Sequence, residues 1–144
     1  MRVLIDTNIY LDVALRREGF AQASLGVIQK VVSADGLILL APHSLATIYY
    51  LCERHLGKEP ADGLIGDLLG LAQIASFEHQ DALRAFKMDY KDFEDAMIFA
   101  AAIANQADFL ITRNFEDFDS SFVDAEGGYE LKVRTPDWFL GDMR

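Results

Sequence analysis

Short apolar runs and longer segments with helical spacing alternate along this chain. The apolar runs have the length of buried β-strands and predict strands over residues 1–5, 37–41, 74–77 and 109–112, with a weaker strand over 129–133. The segments between them predict helices over residues 7–17, 21–34, 44–55, 60–72, 81–88 and 93–106, and a terminal turn over 136–140. Because strands alternate with helices, we predict an α/β fold. It is one domain over residues 1–144, with a mostly parallel central sheet of four to five strands flanked by helices.

Capping residues mark the ends of several predicted helices. Thr7 and Ser44 each precede an apolar periodic segment and are predicted N-caps, because their hydroxyl oxygens can accept from the first free backbone N–H groups. Gly57 follows the third helix, where a C-cap glycine is expected. The three histidines, His43, His55 and His79, lack the spacing of metal ligands and are predicted to be surface or turn residues.

Polar or acidic islands lie where the apolar runs end or begin. They are Asp6-Thr7-Asn8, Pro42-His43-Ser44, the segment 92–95, and Thr112-Arg113-Asn114 followed by Asp117. In an open α/β sheet the carboxyl ends of the strands and the starts of the following helices share one edge, so these side chains should converge there. A cluster of carboxylate oxygens suits Mg²⁺ or Mn²⁺.

Composition narrows the class of protein. A chain of 144 residues with 51% hydrophobic and 25% charged residues is typical of one globular domain. The single cysteine excludes an internal disulfide and a cysteine-based zinc site, and it fits a reducing cytoplasm. We see no signal-peptide pattern and no apolar run long enough to span a membrane, so we expect a cytoplasmic protein without membrane contact. The net charge of −10 argues against a broad phosphate-binding surface.

Three segments resemble the PIN-domain nucleases, including the VapC-type toxins of toxin–antitoxin pairs. They are Leu4-Ile5-Asp6-Thr7-Asn8, the segment 95–101 beginning Asp95-Ala96, and the segment 111–118, which contains Thr112, Asn114 and Asp117. The segment 44–50 is also similar to one PIN subgroup. The resemblance spans roughly residues 1–139. It implies a metal-dependent endoribonuclease that hydrolyses RNA phosphodiesters, a small antitoxin protein as partner, and a homodimer.

The resemblance also assigns roles to individual residues. Asp6, Asp95 and Asp117 would be catalytic and would hold Mg²⁺ or Mn²⁺, with Asp92 assisting. The supporting residues would be Thr7, Asn8, Thr47, Thr112 and Asn114, and Arg113 would contact a substrate phosphate. Each carboxylate also has a purely structural interpretation. Asp6 and Asp92 could be helix caps, Asp95 could complement a helix dipole, and Asp117 could close its own loop.

Thr47 departs from the PIN pattern, which has an acidic residue early in the helix after the second strand. Thr47 lies three residues after the predicted N-cap Ser44, and it brings no charge. Asp92, three residues before Asp95, is the predicted substitute. We therefore expect one metal ion, weak binding or slow hydrolysis. The alternative function is a catalytically weakened PIN domain that binds RNA or a protein. A receiver-like domain ranks last, because the chain lacks its later lysine and its aspartate after the third strand.

Overall fold

A six-stranded sheet organises the molecule, and its central strands are parallel. The computed structural model describes residues 1–142. The strands are β1 Arg2–Ile5, β2 Leu37–Leu40, β3 Gln73–Ile74, β4 Phe109–Ile111, β5 Ser121–Val123 and β6 Glu130–Arg134, in the order β3-β2-β1-β4-β6-β5. Every neighbouring pair is parallel except β5 and β6, which are antiparallel. The predicted α/β fold with a mostly parallel sheet is confirmed. The sequence did not predict the edge strand β5.

Seven α-helices and one short 3₁₀ turn connect the strands described for residues 1–142. They are α1 Thr7–Ala14, α2 Ala21–Ser33, α3 Pro42–Leu56, α4 Lys58–Leu71, α5 His79–Lys87, α6 Phe93–Ala104 and α7 Pro136–Asp142, with the 3₁₀ turn over Phe115–Asp117. Within this part of the chain, no helix combines the length and the apolar character that a membrane crossing needs.

Alternate residues of β1 face opposite sides of the sheet and so separate two apolar cores. Val3 and Ile5 pack with apolar residues of α1 to α4 and α7. Leu4 packs on the other side, mainly with α6 residues such as Ile98 and Phe99. All three β1 residues are fully buried, which explains why the strand reads as a continuous apolar run. The sheet therefore lies between two helical layers, and α5 and α6 cover the face opposite α3 and α4.

The order of the strands places a crevice at the carboxyl ends of β1 and β4. The chain moves outward from β1 to β2 and β3, and then returns to add β4 on the other side of β1. Leu4 is aligned with Leu110, and the N–H of Asp6 donates to the carbonyl of Ile111 at 3.0 Å. This reversal of direction is the place where open α/β sheets bind ligands. The polar residues that follow β1 and β4 therefore meet at one point.

Two predicted N-caps are wrong. Asp6, not Thr7, caps α1, because the Asp6 carboxylate accepts from the N–H of Thr7. Helix α3 begins at Pro42 with Ala41 as its N-cap, so Ser44 lies inside the first turn. Proline suits a first helical position, since it has no N–H to satisfy. Thr47 consequently lies further into α3 than the predicted third position. The predicted C-cap Gly57 is confirmed, and its φ of 91° is one that glycine adopts readily.

Candidate active site

Asp6 is a buried carboxylate held by two short hydrogen bonds. Asp6 is only 4% exposed to solvent. One carboxylate oxygen accepts from the N–H of Thr7 at 2.7 Å, and the other accepts from the hydroxyl of Thr112 at 2.7 Å. Burial raises the pKa of Asp6, the hydrogen bonds from Thr112 and Thr7 oppose that rise, and the charge of Glu94 adds to it. Asp6 is therefore both a helix cap and a rigidly oriented acidic group at the crevice.

The segment after β4 is tied to Asp6 through Thr112. Thr112 is fully buried; its hydroxyl donates to Asp6 and accepts from the backbone N–H of Asn114 at 3.0 Å. Asn114 precedes the 3₁₀ turn that ends at Asp117, and the N–H of Asp117 donates to the carbonyl of Asn114 at 2.9 Å. One chain of hydrogen bonds thus links the buried carboxylate to the turn that carries Asp117. The contact of Asn114 in this chain is made by its backbone.

Asp95 lies in the first turn of α6 and feels the other acidic groups of the site. The pKa of Asp95 is raised to about 7, and burial is the largest cause of the rise. The negative charges of its acidic neighbours add to it, in decreasing order of effect Asp6, Asp92, Asp117 and Glu94. Four carboxylates that act on a fifth must share one region, although they come from three separated parts of the chain. Residues 1–142 thus bring together Asp6, Asp92, Asp95 and Asp117, as the sequence predicted they would.

An acidic cavity of about 370 Å³ opens beside Asp95. Its lining includes Asp92, Asp95, Glu116 and Asp117, with Tyr90 as an aromatic wall. Asp92 is the N-cap of α6, and its carboxylate accepts from the N–H of Glu94 at 2.8 Å. The structural interpretation of Asp92 therefore holds, while its charge still acts on Asp95. Carboxylates around an open cavity form a region of strongly negative potential, which attracts cations.

Four site residues escaped the sequence interpretation. Glu94 lies beside Asp95 in sequence, and its charge acts on both Asp6 and Asp95. His43 was predicted to be a surface or turn residue, but both of its ring nitrogens are buried and have no hydrogen-bond partner in residues 1–142. Burial lowers the pKa of His43, and the negative charge of Asp6 opposes that shift. Both residues belong to the polar islands of the sequence, and that position is the feature from which they could have been predicted.

The predicted supporting residues have different partners from one another. Thr7 shares a hydrogen bond of 2.7 Å between its hydroxyl and that of the buried Ser44, which joins α1 to α3. Asn8 accepts from Arg17 at 3.2 Å through its side-chain oxygen. The hydroxyl of Thr47 donates back to the carbonyl of His43 at 3.3 Å, within α3. Ser44, the third residue missed from sequence, thus holds the start of α1 in place.

Arg113 has a partner other than the predicted substrate phosphate. Its guanidinium donates to both oxygens of Asp12, at 2.7 and 3.0 Å, and lies 4.1 Å from the centroid of the Phe20 ring. Asp12 is fully buried and also accepts from the hydroxyl of Ser24 at 2.9 Å and from Arg17 at 3.4 Å. Two nitrogen atoms of the guanidinium are thus engaged by a carboxylate, and the contact of Arg113 with a substrate phosphate stays a prediction. Asp12, the fourth missed residue, anchors the loop next to Thr112.

The donor set fits a hard divalent cation, although it does not form a closed cage. Within residues 1–142, no three or more Asp, Glu, His or Cys side chains lie close enough together to hold one ion as joint ligands. Mg²⁺ usually keeps several waters and uses only one or two protein carboxylates, with substrate phosphate completing its shell. Asp6 and Asp95, supported by Asp92, Asp117 and Glu94, match that kind of site. After burial, the largest causes that raise the pKa of Asp95 are the negative charges of these neighbours.

Comparisons with known proteins agree with this architecture. The family model described as PIN domain matches residues 2–116, and the chain belongs to that family. Among solved structures, VapBC2 from Rickettsia felis, bound to a DNA fragment from its promoter, shares 16% identity at a TM-score of 0.67, with 94% of this chain and 98% of that one covered. No curated protein matches the chain in sequence.

Two further structures share the fold. VapC20 from Mycobacterium tuberculosis, described as a sarcin–ricin loop cleaving toxin, shares 14% identity at a TM-score of 0.62, over 79% of this chain and 92% of that one. VapBC-1 from nontypeable Haemophilus influenzae shares 19% identity at a TM-score of 0.63, over 82% of this chain and 90% of that one. At such identities the likeness establishes the fold, which is the one adopted by toxins of toxin–antitoxin pairs.

Proposed function

We propose that this protein is a metal-dependent endoribonuclease, the toxin component of a toxin–antitoxin pair, which hydrolyses RNA phosphodiesters at the carboxyl edge of its sheet. The observation that carries the proposal is the uncompensated charge of the site. Burial and four neighbouring carboxylates raise the pKa of Asp95 to about 7. Helix capping alone does not require carboxylates from three parts of the chain to lie close together, and their mutual repulsion is costly. Such clusters of perturbed acidic groups are typical of functional sites.

Asp6 and Asp95 would hold Mg²⁺ or Mn²⁺, with Asp117 and Asp92 supporting them. When bound, the metal would lower the pKa of the attacking water and offset negative charge on the phosphate oxygens. The protein's own part is orientation. Thr112 and the N–H of Thr7 fix both oxygens of Asp6, so the carboxylate does not need to reorganise when substrate arrives. The Thr112–Asn114 link keeps the turn with Asp117 in register with Asp6.

Thr47 occupies the position where the PIN pattern has an acidic residue, and we propose that Glu94 supplies the missing carboxylate. Its charge acts on Asp6, and its backbone lies near His43, one helical turn before Thr47. Burial is the main cause that raises the pKa of Glu94, and the charge of Asp92 adds to it. A carboxylate from α6 would therefore serve the side of the site that faces α3. Asp92, the substitute predicted from sequence, caps α6 through one carboxylate oxygen, and its charge also acts on Asp95.

The structural relatives support the substrate and partner classes. One is described as cleaving the sarcin–ricin loop, which is RNA, and others were solved as VapBC pairs, two of them with DNA bound. We therefore propose RNA as the substrate and a small antitoxin protein as the partner, and we keep as a proposal the homodimer that the family resemblance implies. The cytoplasm, where cellular RNA is available to a toxin, is the proposed location, and the single Cys52 fits it.

A catalytically weakened domain that binds RNA or a protein is the second candidate. Two observations favour it. The hydroxyl of Thr47 is already bonded to the carbonyl of His43, and no three possible ligands within residues 1–142 are close enough to share an ion. The two candidates have the same fold and differ in what happens when metal is present. The nuclease cleaves RNA, whereas the binding module does not.

RNA cleavage in the presence and absence of metal distinguishes the candidates. Purified protein is incubated with structured and single-stranded RNA in Mn²⁺ or Mg²⁺, and a matched sample contains EDTA. The nuclease proposal predicts cleavage that EDTA stops and that Asp6→Asn abolishes. The control variant Asp67→Asn, on α4 across the sheet, should cut like the wild type. Equal cleavage in EDTA, or cleavage that survives Asp6→Asn, would contradict the proposal. Metal binding without cleavage would favour the binding module.

A further inference from the structure

A second cavity, which we call the α5 groove, adjoins the acidic cavity. It has a volume of about 610 Å³ and is lined by Leu83, Arg84 and Lys87 of α5, Met88 after it, Ile103 of α6 and Phe122 of β5. Asp119 lines both cavities, so the α5 groove opens directly next to the cavity that contains Asp95. A molecule that occupies the acidic cavity can therefore extend into the α5 groove.

The α5 groove carries basic side chains on a strongly acidic protein. Arg84 and Lys87 are both exposed, and neither forms an ion pair with a carboxylate of residues 1–142. Two other cations of residues 1–142 are paired with carboxylates: Arg113 binds Asp12, and Lys58 binds Asp62. On a protein with a net charge of −10, these two unpaired cations bring positive charge to the α5 groove beside the candidate active site, and Asp119 is the carboxylate that lines the same groove.

The floor of the α5 groove offers apolar and aromatic surface between these cations. The Arg84 guanidinium lies 5.7 Å from the centroid of the Phe122 ring, so charge and ring face the same space. Leu83 is 45% exposed, although it is a large apolar residue at the rim. Cations for the phosphates and apolar faces for the bases are the combination that binds single-stranded nucleic acid without sequence preference.

We propose that the α5 groove binds a single-stranded segment of the RNA substrate adjacent to the phosphate held at the acidic cavity. This inference rests on the proposed ribonuclease function and extends it by naming the surface that holds the strand. Arg84 and Lys87 contact backbone phosphates, and the apolar floor contacts bases. The arrangement also explains how a protein of net charge −10 binds a polyanion, since only a short basic track beside the site is needed.

The test compares the double variant Arg84→Gln, Lys87→Gln with a matched control. The control, Arg16→Gln, Arg54→Gln, removes the same charge from exposed positions after α1 and on α3, whose apolar residues pack on the other face of the sheet, and neither arginine forms an ion pair with a carboxylate of residues 1–142. The probe is a fluorescein-labelled single-stranded RNA of mixed sequence. Its affinity is measured by anisotropy over a range of salt concentrations with Ca²⁺ in place of Mg²⁺, and KM and kcat are measured with Mg²⁺. The single variant Arg84→Glu provides a second perturbation of the α5 groove.

We expect the groove variant to bind RNA about 10–30-fold more weakly at moderate salt. The slope of the logarithm of the binding constant against the logarithm of the salt concentration should be shallower by about 1.4, because each lost single-strand phosphate contact removes about 0.7 from it. KM should rise with little change in kcat, and Arg84→Glu should raise KM further. Wild-type KM and salt slope in the groove variant would overturn the α5 groove proposal alone, provided that wild type still cuts RNA. Weakened binding in a protein that does not cut would support the α5 groove and contradict the nuclease function. A wild type that neither binds nor cuts RNA overturns both.

Discussion

Replacing Asp95 by asparagine should stabilise the metal-free protein while it abolishes cleavage. The pKa of Asp95 is raised from 3.8 to about 7 by burial and by the charges of Asp6 and its acidic neighbours, so the charged form is unfavourable in the folded state. Taken at face value, the shift would correspond to about 4 kcal/mol at alkaline pH. Because Asp95 is only half-buried beside an open cavity, solvent screening reduces the expected gain to about 1–2 kcal/mol. For a chain of this size the melting temperature should rise by about 3–8 °C.

The pH dependence of this gain has a definite sign. The folded pKa of Asp95, about 7, lies above the unfolded value, so the folded state binds more protons between about pH 4 and pH 7. The contribution of protonated Asp95 to stability is therefore fully present below about pH 4 and is lost as the pH rises through 7. Asp95→Asn should match the wild type only near pH 3.5 and exceed it most at pH 8.

Thermal unfolding in EDTA at several pH values measures this difference directly. Glu59→Gln, which removes a first-turn carboxylate from α4, is the matched control and should show no growing advantage at high pH. Adding Mg²⁺ or Mn²⁺ should raise the wild-type melting temperature more than that of Asp95→Asn, since the metal binds the folded carboxylates. If Asp95→Asn instead loses stability equally at every pH, Asp95 is a structural helix residue and the electrostatic reasoning is refuted.

Three further predictions concern neighbouring parts of the site. Asp12→Ala should destabilise the fold by about 2–4 kcal/mol in urea unfolding, because it leaves the guanidinium of Arg113 without its buried partner. A free energy of unfolding equal to that of the wild type would mean that water solvates Arg113 as well as Asp12 does. Thr47→Asp should tighten Mn²⁺ binding in calorimetry, speed RNA cleavage and lower stability without metal, whereas unchanged affinity would show that Thr47 does not face the metal. Glu94→Gln should weaken Mn²⁺ binding, and wild-type affinity in this variant would remove Glu94 from the site.

The sequence predicts the sheet well because its strands are buried on both sides. The buried positions of β1 and β4 are all apolar, and such a run is a strong signal in the sequence. The edge strand β5, Ser121–Val123, is short and only partly buried, so its pattern carries no comparable signal. Helix starts are predicted less well where two capping residues compete. Asp6 and Thr7 are both good caps, and the sheet geometry that selects Asp6 is not visible in the sequence.

The acidic members of the candidate site follow from topology, but their partners do not. Asp6, Asp95 and Asp117 flank predicted elements whose ends must meet at the sheet edge, so their convergence could be expected. The pairing of Arg113 with Asp12 joins residues about a hundred positions apart through side-chain directions that no local pattern specifies. The burial of His43 likewise depends on how α3 packs against its neighbours. Long-range side-chain contacts of this kind are decided by packing rather than by periodicity.

The most direct test of a metal-dependent site at this sheet edge is a crystal of the protein soaked in Mn²⁺, with anomalous differences collected at a wavelength where manganese scatters. The proposed site predicts a peak in direct or one-water contact with Asp6 and Asp95, and the peak should disappear in Asp95→Asn crystals treated in the same way. A well-measured map with no peak at these carboxylates, or with manganese only at exposed carboxylates across the sheet such as Asp62 and Asp67, would contradict the central claim.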